Sequence, residues 1–388
     1  MTLQRAVFTT LSMFSAVMAQ THTAGKVALY ASVGPVLIHY EVDVDGASLV
    51  KRESVTLPDS VQYAWPHPSK RYIYVAWSNG SGLDHHGVTA FRIDPASGAL
   101  QPHGNPISLP ARPVHITTDI PGTHLLVAFN DPSGLNVYGL APDGTILAQI
   151  KQPAPLDFGI YGHQVRVDPS DKMVILVTRG NGPAKGKPED PGALKVFSYK
   201  NGILTNRASI APNKGFGFQP RHLDFDGPWV FVSLERQNKL QVYKKLPDGR
   251  LGSEPLFTKE SLTEPGKSGP GQAAGTVHVH PNGKFVYQAN RAGAGGENTV
   301  AVYSINPETG EPSRIQNADT HGMEPRTFAL DSSGRILVAA NQNASKTVPA
   351  SLAVFRVRAD GKLDYVRKYD VETDRGRNLF WMGVVSLN

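Results

Sequence analysis

The sequence predicts an all-β protein, a seven-bladed β-propeller with four-stranded blades. Similar apolar segments recur seven times, about 45–55 residues apart, which is the spacing of propeller blades. No long segment has the 3.6-residue periodicity of an amphipathic helix. Gly and Pro number 38 and 30 among 388 residues, as a fold with many turns requires. The recurring segments are the expected second strands of the blades, at 29–32, 74–77, 126–129, 176–178, 231–234, 287–290 and 337–340.

Blade one is expected to begin near Lys26 with only three strands of its own, at 27–31, 36–42 and 48–55. The pattern assigns the missing strand to the far C-terminus, at 380–387. This strand would close the ring by joining blade one, and it would leave no sheet edge unpaired. The other six blades are expected at 59–110, 111–152, 160–212, 217–258, 273–318 and 323–372.

Three insertions interrupt the rhythm of the blades, at 180–191, 258–274 and 292–297. The blade pattern places the first and third after a second strand, and the second between blades five and six. Loops that a rigid scaffold holds around one channel mouth often contact ligands. Surface insertions without a function are an equally common alternative.

The N-terminus has the pattern of a signal peptide at 1–19. Arg5 supplies a positive charge, residues 6–18 are mostly apolar and small, and Val17-Met18-Ala19 fits the cleavage rule. The apolar stretch is too short and too polar to span a bilayer. We therefore expect a secreted or periplasmic protein whose propeller domain covers 20–388. A disordered or helical extension is the alternative.

The composition excludes several classes of function. The net charge of +6 is spread along the chain, so no basic run predicts nucleic-acid binding, and no other segment could cross a membrane. The absence of cysteine excludes disulfides, thiol nucleophiles and thiolate metal sites. We expect a monomer or weak dimer.

Charged residues and histidines concentrate where blades four to seven should face the channel. His163, Arg221 and Arg326 fall at one position of their innermost strands, two residues before the first apolar residue. Such side chains are costly to bury unless they are paired or used, so their clustering indicates a ligand site. Ion pairing between blades without a ligand is the alternative. The second strands end nearby at Arg179, Glu235, Asn290-Arg291 and Asn341-Gln342.

These motifs resemble those of the propeller lactonases of the 6-phosphogluconolactonase and carboxymuconate cycloisomerase family. With the seven-blade rhythm, the resemblance extends over nearly the whole chain after the signal peptide. The motifs are Gly162-His163-Gln164-Val165, Gln219-Pro220-Arg221-His222-Leu223, Ser233-Leu234-Glu235, the segment 277–287, Ala289-Asn290-Arg291 and Glu324-Pro325-Arg326-Thr327-Phe328.

The resemblance implies a lactone hydrolase that acts in the central channel on a sugar-derived or carboxylated lactone, without a metal or cofactor. Arginines would stabilise the oxyanion, and Glu235 and His163 would share the roles of general base and acid. The catalytic residues it implies are His163, Arg221, Glu235 and Arg291. The substrate-binding residues it implies, for an anionic small-molecule lactone, are His222, His278, Arg326 and Arg179.

Three other functions remain open at this point. A cycloisomerase would close a lactone with the same arginines and acid/base pair. A metal-dependent lactonase would gather Glu235 with Asn130, Asn290 and Asn341 around a divalent cation, although the neighbouring arginines would repel it. A propeller that binds a partner without catalysis is the third alternative, because a fold does not settle function.

Overall fold

The computed structural model describes residues 26–184, 186–266, 268–343, 347–373 and 376–387. The predicted signal peptide at 1–19 lies outside these residues. The described chain forms seven sheets of four antiparallel strands and one short 3-10 helix, Pro212–Gly215. None of its helices has the length and hydropathy needed to cross a membrane.

The first three blades follow the predicted order, and the innermost strand of blade one comes from the C-terminus. Blade one contains β28 (Leu379–Ser386), β1 (Val27–Val33), β2 (Val36–Asp43) and β3 (Ser48–Thr56), from the channel outward. Blade two contains β4 (Ser60–Pro66), β5 (Tyr72–Ser78), β6 (His86–Ile93) and β7 (Leu100–Ser108). Blade three contains β8 (Pro113–Thr118), β9 (His124–Asn130), β10 (Ser133–Leu140) and β11 (Ile146–Gln149).

The remaining four blades repeat this arrangement, with the first strand of each innermost. Blade four contains β12 (Gly162–Val167), β13 (Met173–Thr178), β14 (Ala193–Lys200) and β15 (Ile203–Ile210). Blade five contains β16 (Pro220–Asp226), β17 (Trp229–Leu234), β18 (Lys239–Lys244) and β19 (Phe257–Glu260). Blade six contains β20 (Ala273–Val279), β21 (Phe285–Arg291), β22 (Thr299–Ile305) and β23 (Pro312–Asp319). Blade seven contains β24 (Met323–Leu330), β25 (Ile336–Asn343), β26 (Ala350–Val357) and β27 (Leu363–Val371).

The second strand of each blade is buried on both faces. Every residue of β5, β13 and β17 is buried, because neighbouring blades pack on either side of it. A strand in this position has an almost continuous apolar sequence. This burial is why the second strands gave the clearest repeat in the sequence.

The ring closes as predicted. β28 pairs antiparallel with β1, which places Ser386 opposite Val27 and Met382 opposite Ala31. Ser32 Oγ also accepts a hydrogen bond from the backbone N–H of Trp381 at 3.1 Å. Both ends of the propeller therefore belong to one sheet.

Tyrosines on the second strands connect neighbouring blades. The hydroxyl of Tyr74 donates to the Gly144 carbonyl at 3.0 Å, and that of Tyr287 donates to the Gly361 carbonyl at 2.9 Å. Each acceptor glycine is in the outer turn of the next blade and has a φ of +82°. The glycine also packs against an aromatic ring of the preceding blade, which for Gly361 is Phe285. The turns at Asp143-Gly144 and Asp360-Gly361 are therefore contact points between blades.

Gly361→Ala should destabilise the protein more than Gly249→Ala. Both glycines follow an aspartate in an outer turn and have similar φ values, +82° and +77°. Both variants should lose roughly 1 kcal/mol for placing a side chain in the left-handed region. A Cβ at Gly361 would also collide with Phe285, whereas Gly249 has no atom within 4 Å of that position. In Gly361→Ala, this overpacking should lower the free energy of unfolding by about 1–3 kcal/mol more, measured by urea unfolding. Equal losses would show that the turn does not pack against blade six.

Candidate functional site

A β-bulge in the innermost strands directs side chains into the channel. In blade five, Pro220 pairs with Leu234 and His222 with Ser233, so Arg221 is an extra residue in the ladder. A bulge bends its strand and turns the extra side chain out of the regular alternation. The register shifts in the innermost strand of every blade. In blade six, two residues lie opposite one. In the other six blades a single residue is extra, and these residues are Gln62, Val114, His163, Arg221, Arg326 and Phe380.

Three of these bulges follow a residue in the left-handed backbone region. Tyr161, Gln219 and Glu324 have φ values of +59°, +43° and +52°, and each comes two residues before a bulged residue. Non-glycine residues rarely adopt this conformation, and it costs about 1–3 kcal/mol. Its recurrence in blades four, five and seven shows that the backbone turn at the channel entrance is part of the repeat.

The six bulged residues meet in one pocket of about 180 Å³, which we call the upper pocket. They lie near the start of their strands, so the pocket opens at the mouth where the innermost strands enter the channel. The pocket brings together the predicted residues His163, Arg221, Glu235, Arg291, Arg326 and Arg179. The remaining lining residues are Gln62, Arg112, Val114, Tyr161 and Phe380.

Glu235 holds three arginines from three blades. Its Oε1 accepts hydrogen bonds from Arg221 Nη1 at 2.8 Å and Arg291 Nη2 at 2.6 Å. Its Oε2 accepts a hydrogen bond from Arg179 Nη1 at 3.1 Å. Burial alone would raise the pKa of Glu235, but Arg221, Arg179 and Arg291 outweigh it and hold the pKa at about 2. Glu235 is therefore a carboxylate at neutral pH.

Two further arginines have no acidic partner among the described residues. Arg326 stacks its guanidinium on the ring of Phe380 at 4.0 Å. Arg112 donates from Nε to Gln62 Oε1 at 2.8 Å. Five arginines therefore face one carboxylate, an excess of four positive charges. Burial and the nearby Arg221 lower the pKa of Arg326, as expected for cations that repel one another. The upper pocket favours an anion.

His163 is the imidazole that lines the upper pocket. The residue is 8% exposed. Burial, followed by the charge of Arg221, lowers the pKa of His163 well below 6.5. The imidazole is therefore uncharged at neutral pH and can accept a proton.

The other two predicted histidines lie deeper in the channel than expected. His222 follows the bulged Arg221, and its ring lies 5.2 Å from that of His163, behind the pocket wall. His278 lies near the far end of β20, and its Nδ1 is 3.5 Å from Asp224 Oδ2. His278 lines a different pocket. His222 is absent from the wall of the upper pocket because the bulge turns Arg221 into that wall instead.

A family model described as "Lactonase, 7-bladed beta-propeller" matches residues 27–368. The chain belongs to this lactonase family. The match confirms the resemblance given by the channel motifs, and with it the predicted class of lactone hydrolase. It also agrees with the observed ring of seven blades.

Two bacterial relatives of this lactonase chain are named 6-phosphogluconolactonase. The relative from Serratia proteamaculans is 25% identical over 346 residues, covering 88% of this chain and 93% of its own length. The relative from Bacillus subtilis is 24% identical over 341 residues, covering 84% and 90%.

Solved structures share the fold of this lactonase chain. A periplasmic gluconolactonase of Pseudomonas aeruginosa has a TM-score of 0.71 at 20% identity, covering 94% of this chain and 100% of its own. A structure from Bacteroides uniformis described as a putative 6-phosphogluconolactonase has a TM-score of 0.74 at 19% identity, with the same coverage.

Arg112 and Tyr161 were not predicted, although the sequence contains a signal for Arg112. Arg112-Pro113-Val114 is the blade-three counterpart of Gln219-Pro220-Arg221 and Glu324-Pro325-Arg326, so an alignment on the prolines would have found it. Tyr161 has no proline after it. Its ring supports the guanidinium of Arg179 at 4.2 Å, a contact that only the folded chain shows.

The amides considered as metal ligands have other roles. Asn290 Nδ2 donates to the Ser261 carbonyl at 2.8 Å, and Asn341 Nδ2 donates to the Thr320 carbonyl at 2.9 Å. Both oxygens of Glu235 accept hydrogen bonds from arginines. Among the described residues, no group of three or more His, Asp or Glu side chains is placed to hold a metal ion.

Glu235→Gln should weaken the fold in a pH-dependent way. A folded-state pKa of about 2 against the usual 4.5 corresponds to about 3 kcal/mol of stabilisation. Because the folded-state value is the lower one, this stabilisation is present above about pH 5 and disappears as the pH falls toward 2. In urea unfolding at pH 7, the free energy of unfolding of the variant should be about 3 kcal/mol below that of the wild type. At pH 3 this difference should be smaller by about 2 kcal/mol.

The exposed Glu308→Gln is the matched control, and it should change stability little at either pH. A deficit for Glu235→Gln that is the same at pH 7 and pH 3 would contradict the ion-pair network.

Proposed function

We propose that this protein hydrolyses an anionic, sugar-derived lactone in the upper pocket. The proposal is carried by one observation. The same pocket is lined by a neutral imidazole, three arginines organised by a carboxylate, and two arginines that have no acidic partner among the described residues. These groups match the requirements of lactone opening, which are a base for water, donors for the oxyanion and a site for the substrate's negative charge.

Arg221 and Arg291 are suited to stabilise the oxyanion. Each uses one terminal nitrogen on Glu235, and a guanidinium carries five N–H donors in a rigid plane. Because Glu235 fixes both planes before the substrate arrives, little reorganisation is needed when charge develops on the carbonyl oxygen. Glu235 thus acts as a positioning residue for the two arginines.

His163 is the better candidate for the general base. Glu235 is too weak a base when its pKa is about 2, and it has no proton to donate at neutral pH. In the proposed reaction, His163 takes a proton from water, and the water oxygen bonds to the lactone carbonyl carbon. The bond from that carbon to the ring oxygen then breaks, and His163 returns the proton to the ring oxygen. The product is a hydroxy acid.

Arg326 and Arg112 are proposed to bind the negative group of the substrate. A guanidinium can hold a carboxylate or a phosphate through two parallel hydrogen bonds. The names of the bacterial relatives indicate a phosphorylated sugar lactone for those proteins. Lactones that carry a phosphate or a carboxylate are therefore the proposed substrate class.

His163→Asn should lower kcat for the opening of 6-phosphogluconolactone by about 10²- to 10⁴-fold, because the base is removed. Hydrolysis is followed by acid release at constant pH, with circular dichroism to check folding. The control is His103→Asn on β7, an outer strand of blade two, which should keep its activity. If His163→Asn retained more than a tenth of the wild-type kcat, the proposed base would be wrong. A wild type that closes a muconate but opens no lactone would favour the cycloisomerase.

Arg326→Met should reduce activity on a negatively charged lactone but not on an uncharged one. It should lower kcat/KM for the phosphorylated lactone by about 10- to 100-fold, which is the loss of one charge-assisted interaction. The value for uncharged glucono-1,5-lactone should change little. Arg250→Met, at an exposed turn, controls for the general loss of positive charge. An equal loss on both lactones would show that Arg326 does not recognise the negative group.

We further propose that the protein is exported, as the N-terminal pattern indicates. A structural relative is a periplasmic gluconolactonase. The mass of the protein isolated from its native cell should correspond to a chain that starts at Gln20. An intact N-terminus on the active protein would exclude removal of a signal peptide.

A further inference from the structure

A second pocket lies deeper along the same channel. It has a volume of about 270 Å³, and we call it the lower pocket. On β4, β24 and β28, the residue that faces the upper pocket is followed at once by residues that line the lower one: Gln62 by Tyr63, Arg326 by Thr327, and Phe380 by Trp381. The lower pocket is therefore nearer the opposite mouth of the channel, within blades six, seven, one and two.

A layer of aromatic and imidazole rings lies between the two pockets. The ring of Tyr63 is 4.0 Å from that of His115, which is 6.0 Å from His222. His222 is 5.2 Å from His163 in the wall of the upper pocket. Tyr63, His115 and His222 are packed across the channel, so the lower pocket has its own walls and its own chemistry.

The walls of the lower pocket are mainly apolar and aromatic. Trp65, Trp381, Tyr63 and Phe328 all line it. Aromatic walls favour a flat ring, which can stack or pack edge-on against them. A pocket of this size and lining is typical of sites for small organic molecules.

The lower pocket has no excess of positive charge, and one carboxylate, Asp331, lines it. Arg166 Nη2 donates to Asp224 Oδ1 at 2.9 Å, and its guanidinium lies over the ring of Trp65 at 5.2 Å. Burial raises the pKa of Asp224, but Arg166 and His278 outweigh it and lower the pKa, so Asp224 is ionised and balances Arg166. Unlike the upper pocket, the lower one has no excess of arginines. Asp331 accepts hydrogen bonds from the backbone N–H groups of Ile336 and Ser333, each at 2.9 Å, and it has no cationic partner among the described residues. The lower pocket therefore disfavours a ligand with a negative charge.

Two polar groups in the walls lack partners for some of their hydrogen-bonding atoms. His278 Nδ1 faces Asp224, and Nε2 makes no hydrogen bond to a described residue, although 26% of the side chain is exposed. Thr327 is only 6% exposed, and its Oγ1 is buried without a partner in the described chain. Burial closes Thr327 Oγ1 off, whereas the partly exposed His278 imidazole keeps Nε2 available to pair with a hydroxyl group of a ligand.

We propose that the lower pocket binds a small, uncharged aromatic molecule that carries a hydroxyl group. The ring packs against Trp65 and Trp381, and the hydroxyl pairs with His278 Nε2. This site takes a different class of molecule from the lactone and does not depend on the chemistry of the upper pocket.

The test uses 2-naphthol as the probe and isothermal titration calorimetry of the full-length protein. The wild type should bind one molecule per chain in a saturable way. Ala329→Phe, which fills the lower pocket, should weaken binding at least tenfold, and His278→Phe, which removes Nε2, about tenfold. Circular dichroism and thermal unfolding confirm that each variant is folded.

Val114→Phe, which fills the upper pocket, is the matched control. It should leave 2-naphthol binding unchanged and impair lactone opening, whereas Ala329→Phe should do the reverse. In the Val114→Phe background, naphthalene-2-carboxylate should bind at least tenfold more weakly than 2-naphthol, because Asp331 repels a carboxylate and Arg166 is already paired with Asp224. Absence of saturable binding to the wild type would overturn the proposal. So would tighter binding of the carboxylate, or unchanged binding in folded Ala329→Phe.

Discussion

The upper pocket depends on one buried carboxylate that holds three guanidinium groups from blades four, five and six. Removing such charges from water is costly, and a buried pair repays the cost only when its hydrogen bonds are well placed. Glu235 meets this condition because its backbone is also fixed between blades. Its N–H donates to the Gln219 carbonyl at 2.9 Å, and its carbonyl accepts from the Ala274 N–H at 2.7 Å. The geometry of the arginines is therefore set by the same contacts that join blade five to blade six.

The scaffold provides this geometry through repetition. Each innermost strand enters the channel at a similar level, and in six blades a bulge turns one side chain toward the axis. The second strands stay buried between neighbouring blades and keep the strand ends in place. Closure of the ring by β28 completes the wall with Phe380, the platform for Arg326. A change of one residue at each bulge can therefore alter the chemistry of the pocket without altering the blades.

One channel thus contains two environments. The upper pocket carries four uncompensated positive charges, whereas the lower one is bordered by aromatic rings and a balanced Arg166–Asp224 pair. The layer of Tyr63, His115 and His222 separates them. Burial is the largest influence on both histidines and lowers the pKa of each, so this layer adds no charge to either pocket at neutral pH. The physical basis for the two proposed ligand classes is this difference in charge over a short distance.

The sequence by itself determined the blades, the closing strand and most of the upper pocket. Strands buried on both faces leave a continuous apolar pattern, and charged residues at the ends of such strands are conspicuous in it. Tertiary structure alone decided the positions of His222 and His278, the role of Tyr161 and the pairing of three arginines with Glu235. A bulge breaks the two-residue alternation on which strand predictions depend, so the sequence could not show whether Arg221 or His222 faces the upper pocket. Arg179 and Arg291 are each 56 positions from Glu235 in the sequence, and no local pattern records such contacts between blades.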